Sequence, residues 1–221
     1  MQRYIDIFVA GLGMVLLSPL LFLLVIVLRF TGEGEIFYRQ SRIGLHGKVF
    51  DIYKFATMLK NSPNIGAGTL TMKDDQRVLY IGSFLRRTKI NELPQLLNIL
   101  FGDMSLVGPR PLVPNGEANY TAAESKVIRS VLPGVTGIGS LVLRDEESYY
   151  AHRTDAHDFY KQVISPYKSS LEIWYVKNRS IFLNIKIITF TAIAIFFPYI
   201  DLKKYFFNIP PMPPELTKSK I

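Results

Sequence analysis

The residues best suited to chemistry lie between positions 84 and 111, where cations and carboxylates occur at close spacing. Arg86, Arg87 and Lys89 come directly before the segment 91–94, Asn-Glu-Leu-Pro, which is typical of a helix start. The unpaired N–H groups and the positive dipole at a helix start favour a bound phosphate. This spacing therefore predicts a phosphate-binding site.

The polar side chains of this helix start have two candidate roles. Asn91 is predicted to cap the helix, and Pro94 is tolerated in the first turn because its missing N–H has no intrahelical partner there. Glu92 and Asp103 are candidate carboxylates for binding Mg²⁺ or for attack on phosphorus. In the ordinary structural interpretation, Glu92 only favours the helix dipole.

Arg110 is a further candidate for phosphate binding, because it lies in the segment 108–111, Gly-Pro-Arg-Pro. Prolines on both sides stiffen the loop, so the guanidinium fork is predicted to be held ready for a phosphate. Alternatively, the loop is only structural and the arginine is solvated. The density of such residues in one stretch favours the phosphate-binding interpretation.

Composition narrows the classes of partner. The chain has 221 residues, a formal net charge of +8 and no cysteine, which suits one medium domain with appendages and excludes disulfides and thiolate metal sites. Three scattered histidines do not predict a zinc site. A basic balance admits nucleic acid, anionic lipid or phosphorylated small molecules. No nucleic-acid recognition motif is present, so a nucleic-acid partner is not expected.

A long apolar run near the N-terminus predicts a membrane segment. Residues 8–28 carry no charged side chain, and a helix of this length would reach across a bilayer core of roughly 30 Å. A secretory signal is a less favoured alternative, because its apolar region is shorter and no Ala-x-Ala-like cleavage site follows.

Ser18 and Pro19 lie in the middle of this run and predict a kink, with Ser18 re-satisfying a freed carbonyl. Arg3 and Arg29 flank the run, and positive charge at both ends does not select an orientation. A re-entrant hairpin with both ends in the cytosol and an ordinary kinked spanning helix fit these residues equally well.

The remaining elements follow from periodicity and turn residues. A β-hairpin is predicted over 34–53 and a loop over 61–71. Helices are predicted over 77–87, 92–101 and 117–132, and in pieces over 149–174 with a break near Pro166.

The apolar segment 187–197 is too short to span a bilayer. Lys186, Lys203 and Lys204 stand beside it with the aromatic residues 205–207, a pattern that suits a helix lying in the headgroup region. A buried core helix is the equally weighted alternative. The prolines at 210–214 predict an extended, disordered tail.

Taken together, these motifs resemble the bacterial sugar transferases, the monotopic polyprenyl-phosphate phosphoglycosyl transferases. The resemblance covers most of the chain and combines many motifs, which makes it highly specific. The motifs are Ser18-Pro19, Gly47-Lys48-Val49-Phe50, Tyr53-Lys54-Phe55, Asp75-Gln76-Arg77, Leu85-Arg86-Arg87-Thr88, Glu92-Leu93-Pro94-Gln95-Leu96, the segment 102–111, the segment 133–137 and the segment 175–180.

The resemblance implies an α/β fold that is mainly α. A re-entrant helix-break-helix in the inner leaflet (1–30), broken at Ser18 and Pro19, would precede a cytosol-facing catalytic domain with a small β-hairpin (31–180). An interfacial amphipathic helix (181–207) and a Pro-rich tail (208–221) would follow. The implied location is the bacterial inner membrane, with the catalytic domain facing the cytosol.

The implied reaction transfers a sugar-1-phosphate from a UDP-sugar to undecaprenyl phosphate and releases UMP, with Mg²⁺ as cofactor. This step initiates O-antigen, capsule or exopolysaccharide synthesis. Inner-membrane lipid is a further implied partner, and a homo-oligomer is compatible with the resemblance.

The resemblance also assigns residues. Glu92 matches the acid of an Asp-Glu dyad whose Asp is the nucleophile, and Arg86 and Arg110 match residues that hold phosphates. The full expected set is Glu92 and Asn91 as catalytic residues, Arg86, Arg87, Arg110, Lys54 and Arg77 for phosphate or substrate, and Glu92 and Asp103 for the metal.

Three positions depart from the family pattern. Asn91 stands where the family has the nucleophilic Asp, and Ala56 stands where an Arg is common. The segment 137–140, Gly-Ile-Gly-Ser, replaces a stretch that often carries Trp or Leu and then Gln, and the charged residues 144–147 follow soon after. The last two departures could reflect a different sugar or subfamily.

The Asn91 departure leaves three outcomes open. Glu92 takes over as nucleophile, the lipid phosphate attacks the UDP-sugar directly with Glu92 on Mg²⁺, or the protein is inactive. We favour retained activity that depends on Glu92, because the rest of the phosphate-handling set is present. The alternative is a non-catalytic family member that binds nucleotide-sugar or polyprenyl phosphate, or that scaffolds a glycan assembly complex.

Overall fold

The longest element is the N-terminal helix α1 (Gln2–Arg29). It belongs to a computed structural model that describes residues 2–64, 75–114, 119–150, 153–197 and 200–217. Within these ranges, α1 is the one helix long and apolar enough to cross a membrane, by length and composition. Most of its large apolar side chains are exposed, as expected for a helix that is covered by lipid rather than by protein.

Helix α1 continues through Pro19 without interruption. Proline has no N–H, so the carbonyl of Val15, four residues back, loses its usual partner. The Ser18 hydroxyl donates to Val15 O at 2.8 Å and replaces the missing bond. The predicted repair by Ser18 is therefore confirmed, whereas a break in the helix is not seen.

The chain forms two compact units, and the first comprises residues 1–40 and 51–104. Its core packs α1 against α2 (Tyr80–Arg87) and strand residues, with Leu24, Leu28, Phe55 and Leu85 all buried. A third helix, α3 (Gln95–Phe101), also packs on α1.

Arg3 fixes the start of α1 to the end of α3. Its guanidinium donates to Ile99 O at 2.6 Å and to Leu100 O at 3.1 Å. These carbonyls belong to the last turn of α3, where the backbone acceptors of a helix have no intrahelical partner and the dipole favours a cation.

The predicted hairpin is confirmed. Strands β1 (Phe37–Ile43) and β2 (Val49–Phe55) form a two-stranded sheet, joined by the turn Leu45–Gly47. His46 and Gly47 both have positive φ, 54° and 84°, which is the left-handed conformation needed to reverse the chain.

The second unit comprises residues 41–50 and 105–221. It contains a small parallel sheet of β3 (Ser105–Val107) and β4 (Gly134–Thr136), which the sequence analysis did not predict. The strands approach closely at Gly134, where a Cβ would meet the Gly108 backbone nitrogen at 2.0 Å.

The second unit also contains several helices. They are α4 (Ala122–Ile128), α5 (Ile138–Val142), α6 (Ala156–Phe159) and α7 (Ser165–Asn178). One π-helical turn, Tyr160–Ile164, joins α6 to α7 without a gap. The break predicted near Pro166 is therefore wrong, because this proline lies in the first turn of α7, where its missing N–H is tolerated.

The C-terminal apolar segment forms α8 (Ile181–Phe196), which begins earlier than predicted because Ser180 caps it by accepting from Leu183 N. A turn at Leu202–Tyr205 and a short helix, α9 (Pro214–Thr217), follow. The Tyr167 hydroxyl donates to Pro210 O at 3.3 Å, and Leu216 is 1% exposed. These contacts differ from the disordered tail that the prolines predicted.

Other boundaries also moved. The helix predicted over 77–87 begins only at Tyr80, and the one predicted over 117–132 is α4. The predicted loop 61–71 contains the turn Ser62–Asn64, and its remainder lies outside the described residues. The division at 30, 180 and 207 stays a prediction.

A buried ion pair lies just before α2 in the chain. Arg77 is 5% exposed, and its guanidinium donates to both carboxylate oxygens of Asp75 and, at 2.8 Å, to Ser62 O. The Asp75 side chain is 7% exposed, so neither charge can be solvated if the other is removed.

We expect Arg77→Ala to destabilise the protein by about 3 kcal/mol or more, because it leaves a buried carboxylate unpaired. For a chain of this size that corresponds to a fall in Tm of roughly 6–12 °C, measurable by thermal scanning.

Arg153→Ala is the matched control, because Arg153 and Asp155 form a pair with the same spacing at 40% and 52% exposure. Its loss should leave the Tm nearly unchanged, because an exposed ion pair contributes little to stability. Equal Tm values for the two variants would contradict a structural role for Arg77.

Candidate active site

The first unit contains a partly buried ion pair between two predicted site residues. Lys54 Nζ lies 2.8 Å from Glu92 Oε1, and the side chains are 15% and 12% exposed. Lys54 comes from β2, whereas Glu92 ends the short 3-10 turn Ile90–Glu92. Because such a pair is screened less than an exposed one, it holds the carboxylate in one position. The fold thus joins residues that are 38 positions apart in sequence.

Asn91 does not cap a helix, so that prediction is wrong. The chain takes a left-handed conformation at Lys89, with φ 61°, and makes the 3-10 turn before α3 begins at Gln95. Pro94 occupies the N-cap position, and no side chain caps it. Asn91 therefore lies inside the turn, one residue before Glu92.

The Asn91 side chain is buried without full hydrogen bonding. It is 7% exposed, and its Oδ1 accepts no hydrogen bond from the described residues. A buried acceptor left without a partner costs about 1–3 kcal/mol. An unsatisfied group of this kind in a folded protein calls for an explanation, and a functional position is one. Here it adjoins the carboxylate that Lys54 holds.

Asn98 fixes the strand that carries Lys54. Its side-chain Oδ1 accepts from Tyr53 N at 3.0 Å, and its Nδ2 donates to Asp51 O at 2.8 Å. The residue is fully buried in α3, so these bonds are shielded from water. Sequence reasoning missed this residue, since an Asn in an apolar helix has no distinctive pattern; only the pairing with β2 reveals its role.

Arg86 and Arg87 occupy the last turn of α2, where cations favour the helix dipole. Arg86 is half-buried with Nη1 3.7 Å from Met58 Sδ, and Arg87 is exposed. Both precede the Lys54-bound carboxylate of Glu92 by a few residues along the chain. Their predicted contact with phosphate stays a prediction.

Arg77, a predicted phosphate- or substrate-binding residue, lies in a buried ion pair. Asp75 and Ser62 occupy its guanidinium in a buried setting, as described above. A phosphate would have to displace the Asp75 carboxylate to reach it. The structure therefore gives Arg77 a role in holding the fold, and its contact with substrate stays a prediction.

The predicted metal ligands are Glu92 and Asp103. Asp103 follows Gly102, whose φ of 94° ends α3, and its backbone nitrogen donates to Asn98 O at 3.0 Å. The described residues contain no group of three or more Asp, Glu, His or Cys side chains placed to hold a metal ion. Mg²⁺ commonly takes only one or two carboxylates together with substrate phosphates, so Glu92 fits that chemistry.

The second unit holds the Arg110 loop. Arg42 Nη1 donates to Pro111 O at 2.9 Å, and Gly134 N donates to Pro109 O at 2.9 Å. Backbone bonds thus fix both prolines that flank Arg110, in agreement with the predicted stiffness of this loop. A small surface cavity lies beside it, lined by residues that include Arg110, Tyr120 and Arg129.

A buried carboxylate lies behind this loop. Glu172 of α7 is 2% exposed, and its Oε1 accepts from Arg110 N at 3.4 Å. Its Oε2 has no hydrogen-bond partner in the described structure. Gly139 makes room for it, because a Cβ there would lie 2.4 Å from Oε1.

The electrostatics of Glu172 follow from its burial. Removal from water raises the pKa of the Glu172 carboxyl to about 7, and the Arg110 N–H and the charges of Lys168 and Arg110 oppose this shift. Burial also raises the pKa of the Tyr120 hydroxyl well above its usual range, and nearby carboxylates, Glu172 first, add to that effect.

Glu172 belongs to a polar stripe on α7, comprising Ser165, Lys168, Ser169 and Glu172, all of which are buried. The ammonium of Lys168 donates to Glu146 Oε2 at 2.7 Å. Burial alone would lower the pKa of Lys168, but the Glu146 carboxylate outweighs it and raises that pKa overall.

Sequence reasoning missed this stripe, although a signal was present. Positions 165, 168, 169 and 172 have helical spacing, which is usually interpreted as a solvated helix face. Two of them, Lys168 and Glu172, are long charged residues of the kind rarely buried without partners. Only the tertiary structure shows that this face points inward.

Comparisons with known proteins agree with the motifs. A family model described as "Bacterial sugar transferase" matches residues 1–198. The exopolysaccharide production protein ExoY of Sinorhizobium fredii is 38% identical over 162 residues, which cover 67% of this chain and 71% of that protein.

Two further relatives have names that state a reaction. The UDP-glucose:undecaprenyl-phosphate glucose-1-phosphate transferase of Klebsiella pneumoniae is 33% identical over 195 residues, 86% of this chain and 39% of that protein. The undecaprenyl-phosphate glucose phosphotransferase of Komagataeibacter xylinus is 35% identical over 202 residues, 86% of this chain and 35% of that protein. The chain thus spans well under half the length of these two relatives.

The family model extends over residues 1–198 and so includes the apolar helix, the Lys54–Glu92 pair, the Arg110 loop and the polar stripe of α7. With that coverage, the chain belongs to the bacterial sugar transferase family.

Proposed function

We propose that this protein transfers a sugar-1-phosphate from a UDP-sugar to undecaprenyl phosphate and releases UMP, as the initiating step of exopolysaccharide, O-antigen or capsule synthesis. The relatives named for this reaction support the substrates. The observation that carries the proposal is the Lys54–Glu92 pair, which holds one partly exposed carboxylate beside the buried Asn91 amide. A non-catalytic role is not favoured, since the named relatives are transferases.

Turnover depends on Glu92 in this proposal. One carboxylate oxygen of Glu92 attacks the β-phosphorus of the UDP-sugar, the bridging P–O bond breaks, and UMP leaves with the bond electrons. The acceptor phosphate of the lipid then attacks the same phosphorus and releases the carboxylate. Lys54 positions the carboxylate and compensates its charge.

Asn91 is the weaker nucleophile for two reasons. An amide oxygen has no full negative charge, and Asn91 is buried. An aspartate at this position would bury a carboxylate where the structure offers Oδ1 no hydrogen-bond donor. The amide avoids that charge while leaving Glu92 in place.

The negative charge of the substrate phosphates must be neutralised by cationic side chains and a metal ion. Mg²⁺, when bound, would neutralise the pyrophosphate, with Glu92 and Asp103 as its proposed protein ligands. Arg110 would hold a phosphate through its fork, and Arg86 and Arg87 are proposed to add further positive charge.

The proposed location is the bacterial inner membrane, with α1 re-entrant and the catalytic domain facing the cytosol. Exposed apolar side chains along α1 support membrane insertion, and the Ser18–Val15 bond supports a proline at mid-depth. The Arg3 contacts with the last turn of α3 support a shallow position for the first turn of α1.

The segment from α8 to Phe207 is proposed to lie in the headgroup region. Lys186 Nζ lies within 5.1–5.8 Å of the ring centroids of Phe190, Phe206 and Phe207. Phe182 and Phe196 are 78% and 77% exposed. Cations beside exposed aromatic rings are typical of helices at a membrane surface.

The dyad can be tested by measuring UMP release with a panel of UDP-sugars and undecaprenyl phosphate. We expect the protein to be active, Glu92→Gln to lose activity by a factor on the order of 10² or more, and Asn91→Asp to have a lower Tm, because its buried carboxylate would lack a hydrogen-bond donor. A stoichiometric burst of UMP without lipid acceptor, present in the unmodified protein and absent from Glu92→Gln, would identify Glu92 as the nucleophile.

Glu35→Gln is the control, because Glu35 forms an exposed pair with Lys60 and should not affect turnover. Activity confined to Asn91→Asp would show that the chain as it stands is inactive. An appreciable rate shared by Glu92→Gln and the unmodified protein would remove Glu92 from the chemistry. Turnover that depends on Glu92 without the burst would favour direct attack by the lipid phosphate.

We expect Arg110→Ala to lower kcat by a factor on the order of 10²–10³ while the Tm stays within a few degrees, since backbone bonds to Pro109 and Pro111 hold the loop. Arg110→Lys should recover only part of the rate, because it restores charge without the fork. A near-normal rate in Arg110→Ala would make the arginine structural or solvated.

The re-entrant topology is tested with Gln2→Cys, which gives the chain one cysteine. In intact cells this thiol should be protected from a membrane-impermeant maleimide and should react after permeabilisation. Ser130→Cys, at an exposed position of the second unit, is the cytosolic control. Labelling of Gln2→Cys from the periplasm would establish a spanning helix.

A further inference from the structure

We propose that Glu172 is a positioning residue for Arg110: its ionised carboxylate accepts the Arg110 N–H and so sets the conformation of the loop that presents the guanidinium. The inference rests on the proposed function, in which Arg110 handles a phosphate. It adds to the reaction a residue that lies outside the dyad and does not touch the transferred group.

The proposal rests first on a buried hydrogen bond between Glu172 and the Arg110 backbone. Glu172 is 2% exposed, and its Oε1 receives the Arg110 N–H at 3.4 Å. Proline on each side of Arg110 leaves the loop with one N–H between positions 109 and 111. Glu172 accepts that single donor, while the carbonyls of Pro109 and Pro111 are bonded by Gly134 and Arg42, so the carboxylate holds the residue at the tip of the loop.

The surrounding packing preserves the place of this carboxylate. Gly139 leaves the space for Oε1 that any Cβ would fill, at 2.4 Å. Helix α7 is held nearby by two other stripe residues: Lys168 bonds Glu146, and the Ser169 hydroxyl donates to Glu124 Oε1 at 2.7 Å. The stripe therefore acts as a fixed support, on which Glu172 is the member that reaches the loop.

A buried carboxylate with one unpartnered oxygen is costly, and an apolar residue would avoid that cost. A glutamate at this position is explained if its charge stabilises neighbouring groups. The charged and titratable groups that face Glu172 are Arg110 from the loop, Lys168 from its own helix and Tyr120 from the segment before α4. The two cations favour the ionised form, and burial opposes it.

The balance makes the contact dependent on pH, since burial raises the pKa of Glu172 to about 7. An ionised carboxylate accepts a hydrogen bond more strongly than a carboxylic acid does. Loop order and turnover should therefore rise as the pH increases through about 7. Stability should show the opposite trend: the folded pKa lies above the unfolded value, so the contribution of Glu172 is greatest at low pH and is lost as the pH rises through 7.

The experiment measures hydrogen–deuterium exchange of the Arg110 amide, together with turnover, from pH 6 to pH 8. Because Pro109 and Pro111 have no amide, the difference between overlapping peptides that do and do not include residues 109–111 reports the Arg110 amide alone. We expect exchange to be roughly tenfold faster in Glu172→Leu than in the unmodified protein, the effect of losing one hydrogen bond to a charged group.

Glu172→Gln keeps an acceptor of the same shape but cannot ionise. Its Arg110 protection factor should not change with pH, whereas that of the unmodified protein should rise. Its kcat should lack the acid limb near pH 7, with KM for the UDP-sugar changed less than kcat. Ser169→Ala is the matched control on the same stripe and should keep the normal pH profile.

The thermal scan gives a reading that needs no turnover. The Tm of Glu172→Gln, compared with that of the unmodified protein, should increase as the pH rises from 6 to 8. An unchanged Arg110 amide in Glu172→Leu, or an acid limb retained in Glu172→Gln, would overturn the inference. No turnover in any form, with the expected exchange and Tm results, would count against the proposed function and would support the positioning contact.

Discussion

The cost of removing polar groups from water is the constraint on which both units of this protein depend. Each buried polar side chain must find a partner, and the partners found here are mostly backbone groups or charges from distant parts of the chain. Asn98 bonds the backbone of β2 on two sides, Arg77 bonds Asp75 and Ser62, and Lys168 bonds Glu146. These hydrogen bonds restrict the backbone conformation more than apolar packing does, because hydrogen bonds are directional.

The candidate site uses the same constraint in two ways. Asn98 bonds the backbone of β2 through its side-chain amide and so fixes the strand that carries Lys54. The position of Lys54 in turn fixes the geometry of the Lys54–Glu92 pair. Asn91 and Glu172 are the opposite case, since each keeps a buried oxygen without a partner in the described structure. A fold tolerates such atoms only where the rest of the packing holds them in place, and both lie next to residues that the motifs mark for chemistry.

The N-terminal helix obeys this constraint in a different solvent. In hydrocarbon a free carbonyl has no water to bind, so Pro19 would be costly without the Ser18 hydroxyl on Val15 O. Within the first unit, Arg3 bonds carbonyls at the end of α3, and Leu24 and Leu28 pack against Phe55 and Leu85. The apolar helix is thus held by polar contacts at its start and by apolar packing near its end.

Local chemistry and periodicity in the sequence determined the apolar helix, the Ser18 repair, the hairpin and the stiffness of the Pro109–Pro111 loop. These features depend on residues close together in the chain, for which proline, glycine and β-branched side chains act directly on the backbone. The sequence also identified Glu92 and Arg110 as candidates, because charged residues at turns are visible without a fold. The prediction that Asn91 caps a helix was wrong. Lys89 is left-handed, a 3-10 turn follows it, and α3 begins only at Gln95.

Only the tertiary structure decided which charges are buried. Arg77 and Arg110 look alike in sequence, yet one is closed off by Asp75 and the other lies in a loop above a buried glutamate. The stripe containing Lys168 and Glu172 has the spacing of a solvated face but points inward, and the parallel pairing of β3 with β4 joins segments some thirty residues apart. A single sequence shows the period of a helix but not the direction its polar face takes, because that direction depends on contacts formed between residues far apart along the chain.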